Sequence, residues 1–275
     1  MDQGGNHPKS YDRIKTLAVR PLDGEMIKPA ELIDIQGGTG LTLAARRLYN
    51  KLLANAFGPD LAVEGHDFTI SLAELRGTHG GNERIGESIE ALMKTVVLVR
   101  HGEGHTTRVQ LLGGNDMADS QREHGTLTYS FDKRLAPLLQ SSAVFAKLEL
   151  AVLQAFTTKY GLALYEAVSR RIRMSYKFSE VIGIDDFREL LGVPDGKLSS
   201  FGNLRQKAIE PAVAEVCALA PFNCSVEVAE RVGRKVTTIK LAWWRKTEDE
   251  LKAMYAEKKA LALSDLDPLL EDLSE

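Results

Sequence analysis

The chain has 275 residues, of which 44% are hydrophobic and 27% charged, with nine prolines and two cysteines. This excludes a disordered or collagen-like chain and supplies a core for one large or two ordinary domains. Cys217 and Cys224 are too few for a disulfide framework or a four-cysteine zinc site. The start, MDQGGNHPKSYDRIK, lacks the apolar block of a signal peptide, and no apolar run reaches membrane-spanning length, so a cytoplasmic protein without a membrane partner is expected. The net charge of −3 hides a division: residues 1–150 carry 17 basic and 19 acidic side chains, residues 151–246 carry 15 and 10, and residues 247–275 carry 3 and 9. A basic region before an acidic tail permits phosphate neutralisation without requiring it.

Residues 1–40 are poorly periodic and end in Gly37-Gly38-Thr39-Gly40, and they read as a flexible N-terminal arm. Leu41, Ala44, Ala45, Leu48, Leu52 and Ala56 then recur at helical spacing until Gly58-Pro59. A short strand at 67–70 leads to Ser71, an N-cap with Glu74 in the capping-box position. Asn82 caps a second helix through Ile85, Ile89, Leu92 and Met93, which hands over to strands at 95–100, 108–112 and 127–131. The second half repeats this order. It predicts apolar helices at 145–156 and 162–172, a short helix from Ile184 to Gly192, a long helix capped by Ser199 or Ser200, and a hairpin of 226–232 and 236–243 turning at Gly233. The expected fold is α+β: two tandem winged-helix domains forming a pseudo-repeat (41–144 and 145–246), with the arm before them and an acidic helical tail, 247–275, behind.

One run, Arg100-His101-Gly102-Glu103, resembles the histidine-phosphatase signature. That chemistry needs a second histidine from later in the chain, and none follows His124. It also opens a parallel α/β sheet, whereas here a helix precedes the motif and a hairpin follows, so a wing turn is the expected reading and no catalytic residue is assigned. His101 and His105 have helical metal-ligand spacing, but Gly102 and Gly104 argue against a helix, and no metal or other cofactor is expected.

The stretch from Lys197 to Val216 carries more. At 100° per residue Phe201, Leu204, Ala208, Ala212 and Val216 share a face, which leaves Ser200, Asn203, Gln206, Lys207 and Glu210 on the other side or its margins and Arg205 near the edge. Amide and cationic side chains near a helix N-terminus suit base edges and phosphates in a major groove. Pro211 either kinks this helix or starts a new one. The hairpin tip adds Arg231, Arg234 and Lys235 around Gly233, where a wing lies along the phosphate backbone. Ser200, Asn203, Arg205, Gln206, Lys207, Arg231, Arg234 and Lys235 are the candidate DNA contacts.

Leu148-Glu149-Leu150, the run from Thr158 to Glu166, Phe201-x-x-Leu-Arg-x-x-Ala-Ile-x-Pro-Ala-x-x-Glu-Val and Gly233-Arg234-Lys235-Val236 together resemble the iteron-binding replication initiator (Rep) proteins of plasmids, in order and spacing over residues 41–246. The resemblance implies a second domain that is the main reader of double-stranded origin repeats, and a first domain that serves homodimerisation and accessory DNA contact. It also implies recruitment of the host initiator and helicase, and repression of the protein's own promoter. The segment from Gly113 to Gly125 reads as an insertion. A winged-helix transcriptional regulator is the alternative from residues alone.

Overall fold

The computed structural model describes residues 15–76, 82–101, 104–117, 125–174 and 176–264. Residues 15–40 carry structure where a flexible arm is expected. Strand β1 (Glu25–Pro29) is buried at Met26, Ile27 and Lys28, and residues 38–40 form a 3-10 turn. Gly37, at φ 91°, allows this turn, because a Cβ there would stand 2.5 Å from the Val96 carbonyl oxygen.

Helix α1 (Leu43–Ala56) is capped by Thr42, whose hydroxyl accepts from the Ala45 N–H, and of the periodic stripe it buries Ala45, Leu48, Leu52 and Ala56 while Ala44 is exposed. Strand β2 (Phe68–Ser71) leads into α2 (Leu72–Arg76), where Ser71 Oγ accepts from the Glu74 N–H at 3.1 Å. Helix α3 (Asn82–Lys94) passes to the antiparallel hairpin of β3 (Val96–His101) and β4 (His105–Gln110). Strand β5 (Asn115–Met117) lies in the expected insertion, of which residues 118–124 fall outside the described residues, and pairs with β6 (Thr126–Tyr129). Strand β2 pairs with β6 and not with the hairpin, giving the sheet order β2-β6-β5. Helix α4 (Leu135–Ser141) closes this unit.

The expected helix over 145–156 is instead a strand and a short helix. Strand β7 (Phe145–Glu149) pairs antiparallel with β1, Glu25 opposite Glu149 and Pro29 opposite Phe145, before α5 (Leu150–Ala155) begins. Ala146 and Leu148 are buried while their neighbours are half-buried, a period of two that a short apolar run does not distinguish from a helix until its partner strand is known.

Helix α6 (Lys159–Arg171), capped by Thr158, is buried from Gly161 to Ser169 and packs on both units. The second unit continues with β8 (Ser179–Gly183) and α7 (Ile184–Leu191), ended by Gly192 in the left-handed conformation. Next come α8 (Phe201–Leu204), a π turn (Arg205–Ile209) and α9 (Glu210–Leu219) in one unbroken helical run. Strands β9 (Phe222–Val232) and β10 (Lys235–Arg245) complete the sheet β8-β10-β9, and α10 (Glu248–Ser264) follows. Helix, strand, helix, helix and hairpin is the winged-helix order, present in both units.

A buried polar cluster joins β1, α1 and α6. Lys28 Nζ donates to Glu166 Oε2 and Asn50 Oδ1, each at 2.9 Å, and Asn50 Nδ2 donates to Glu166 Oε1 at 2.6 Å. Asp34, just after β1, pairs with Arg170 at 2.8 Å.

Candidate nucleic-acid interface

The run α8–π–α9 is set in place by side chains that sequence periodicity does not reveal. Ser200 Oγ accepts from the Asn203 N–H at 3.2 Å and begins the helix. Arg188 on α7 donates to the carbonyls of Leu198, at 2.7 Å, and Lys197, tying down the loop that feeds the helix. Leu198 in that loop has φ 50°, an uncommon conformation for a non-glycine residue. At the far end Glu215 accepts from the N–H groups of Thr157 and Thr158, at 2.7 and 3.1 Å, and from both threonine hydroxyls. The α9 surface is thereby fastened to the start of α6. Leu204, Ala208, Ala212 and Val216 are buried as the stripe requires, and Phe201 is half-buried.

Ser200, Asn203, Arg205, Gln206 and Lys207 are all exposed. Ser200 differs from the rest in that its oxygen already serves as the helix cap. Arg205 lies on the exposed surface and its Nε donates to Glu210 Oε1 at 2.8 Å.

The hairpin of β9 and β10 is in register from Phe222 opposite Arg245 to Val232 opposite Lys235, with a bulge near Val236 and Thr238. Only Gly233 and Arg234 form the turn, and Gly233 has φ 59°, which suits a tight hairpin loop. Arg231, Arg234 and Lys235 are exposed there, beside Val232, which is 73% exposed. Three cations around an apolar tip form a surface able to follow a polyanion without reading its sequence.

The phosphatase-like run ends β3 in an antiparallel hairpin, in which His101 stands opposite His105. Gly102 and Glu103 lie outside the described residues. Among the described residues every strand pairing is antiparallel, so the run does not open a parallel sheet.

The model of the initiator replication protein WH1 domain matches residues 25–169, and that of the initiator Rep protein WH2 domain matches residues 183–243. The chain belongs to the initiator Rep protein family. As a replication initiator it carries two winged-helix domains, and the first match begins on β1, the strand expected to be part of an arm. Among solved structures it is similar to the Pi initiator protein in complex with iteron DNA, at 18% identity and a TM-score of 0.59, over 82% of this chain and 98% of that one. That likeness shows a shared fold. No curated protein matches. In this initiator the exposed helix and the cationic hairpin both lie in or beside the WH2 match, on one winged helix. Arg188, Glu210 and Glu215 were not singled out by sequence reasoning as parts of the site. The first and last act through tertiary contacts, and Glu210 acts through a local departure from the α-helix.

Proposed function

We propose that this initiator starts plasmid replication by binding direct repeats, the iterons, at the plasmid origin. The helix from Phe201 to Leu219 enters the major groove, where Ser200, Asn203, Arg205, Gln206 and Lys207 meet base edges and nearby phosphates. Arg231, Arg234 and Lys235 neutralise phosphates alongside. The observation that carries this reading is the joint exposure of an amide- and cation-bearing helix start and a three-cation hairpin tip on one winged helix of an initiator. The similar Pi initiator, which is bound to iteron DNA, supports it. The first domain serves homodimerisation and accessory DNA contact, the host initiator and helicase are recruited by the assembly, and binding at its own promoter represses it.

The test is fluorescence anisotropy with duplexes carrying the tandem repeats beside the initiator gene, each about two helical turns long. Wild-type protein prefers the repeat to a scrambled duplex. Arg205→Ala and Lys207→Ala each weaken repeat binding with an unchanged unfolding midpoint. Unchanged affinity in both variants removes this helix as the reader.

A further inference from the structure

The proposed reading helix contains one turn that is not α-helical. Over Arg205–Ile209 the chain makes a π turn, in which the Glu210 N–H donates to the Arg205 carbonyl five residues back. Pro211 accounts for it. A proline has no N–H for the carbonyl of Lys207, and its ring crowds that carbonyl; widening the turn by one residue relieves both without ending the helix. Within this turn Ala208 and Ile209 are both buried.

The same turn brings together two side chains that a regular helix keeps apart. Residues five apart in an α-helix lie about 140° apart around its axis. Here Arg205 and Glu210 meet, Nε to Oε1, at 2.8 Å, with side chains 63% and 55% exposed. They stand in solvent at the side of the helix that faces β9, where an open groove runs between Phe201, Val213 and Val226.

We propose that Glu210 is a specificity-determining positioning residue, which holds Arg205 by its Nε and presents the two Nη groups to one guanine edge, and that Pro211 builds the turn that makes this possible. The inference rests on the reading of this helix as the DNA reader. A guanidinium has five N–H donors in a rigid fork. With the Nε–H engaged, four remain on the Nη pair, oriented for the O6 and N7 acceptors of guanine. Without Glu210, Arg205 is a flexible cation that satisfies itself on phosphate, a contact carrying no sequence information. The Glu210 carboxylate also repels the duplex. Its removal therefore exchanges discrimination for indiscriminate affinity, whereas a carboxylate that only supported the helix would alter neither.

The experiment uses the full-length protein. Wild-type protein selects its preferred duplex from a random pool of about two helical turns, and anisotropy is then measured on every single-base-pair variant of that duplex. Arg205→Ala is expected to lose discrimination at one G·C pair by about tenfold. Glu210→Ala and Pro211→Ala lose most of the discrimination at the same pair, bind scrambled duplex as well as wild type or better, and keep the wild-type circular dichroism spectrum. Glu210→Asp, which keeps the carboxylate on a shorter stem, retains part of it. The double variant R205A/E210A is no worse at that pair than R205A alone, because both act through one contact. Discrimination lost in R205A but kept in E210A overturns the proposal alone, as does a loss in E210A spread evenly over all pairs. A wild-type protein with no preferred duplex overturns the reading of the helix and the proposal with it.

Discussion

Replacing Glu166 by leucine should destabilise the protein by about 3–5 kcal/mol, the cost of stranding one member of a buried ion pair. The Lys28 and Glu166 side chains are each 5% exposed and 2.9 Å apart, so the solvent screening that makes surface pairs worth about 0–1 kcal/mol is absent. With the carboxylate removed, the Lys28 ammonium keeps the Asn50 oxygen and the face of the Tyr49 ring and stands near the Arg46 guanidinium without the Glu166 counter-charge. The pH dependence follows in sign. Burial holds the Lys28 pKa below the ordinary lysine value while Glu166 opposes the shift, so removing Glu166 lowers it further. Between that folded-state pKa and the unfolded value of about 10.4, the unfolded chain binds more protons, and stability rises with pH. Urea midpoints should therefore show E166L strongly destabilised at neutral pH and partly recovered as pH approaches the lysine range. The double variant K28M/E166L should cost less than the two single variants together. A loss below about 1 kcal/mol in E166L, or one independent of pH, refutes the assignment of a buried charged pair.

The double variant R234A/K235A should lower affinity about equally for repeat and scrambled duplexes and reduce the slope of log K against log salt by up to about two, measured by anisotropy over a salt series; a loss confined to the repeat contradicts phosphate contact at the hairpin tip. Gly37→Ala forces a Cβ to within 2.5 Å of the Val96 carbonyl oxygen at φ 91°, and should cost about 2 kcal/mol or more in a urea titration; an unchanged midpoint would show that the junction yields freely. His101→Ala should leave repeat binding and plasmid maintenance as in wild type, because the run sits at the end of an antiparallel hairpin and no histidine follows His124; hydrolysis of p-nitrophenyl phosphate that vanishes in the variant would overturn this.

The features legible in the residues alone are local. The 3.6-residue spacing of Ala45, Leu48, Leu52 and Ala56, the cap at Ser71, a cap at Ser199 or Ser200, the stripe Leu204–Ala208–Ala212–Val216 and the turn at Gly233 are each specified by residues a few positions apart, because capping bonds and helical faces are satisfied within one or two turns. Even the exposed cations of the hairpin tip were legible, since a tight turn has no interior in which to hide them. Features that depend on a distant partner emerge only once the chain is folded. Residues 25–29 and 145–149 become strands because each supplies the other's backbone hydrogen bonds across more than a hundred residues, and neither run is long or periodic enough to declare itself alone. Strand β2 likewise pairs with β6 beyond the hairpin. Lys28 is a charged residue in a segment that reads as an arm; its burial required Asn50 and Glu166 from two other elements to compensate the loss of water. Pro211 lies between these cases. The sequence announces that the helix cannot run regularly past it, but ending, kinking and widening all satisfy a missing N–H. In the folded chain the turn is widened, with Ala208 and Ile209 both buried, and Arg205 lies beside Glu210.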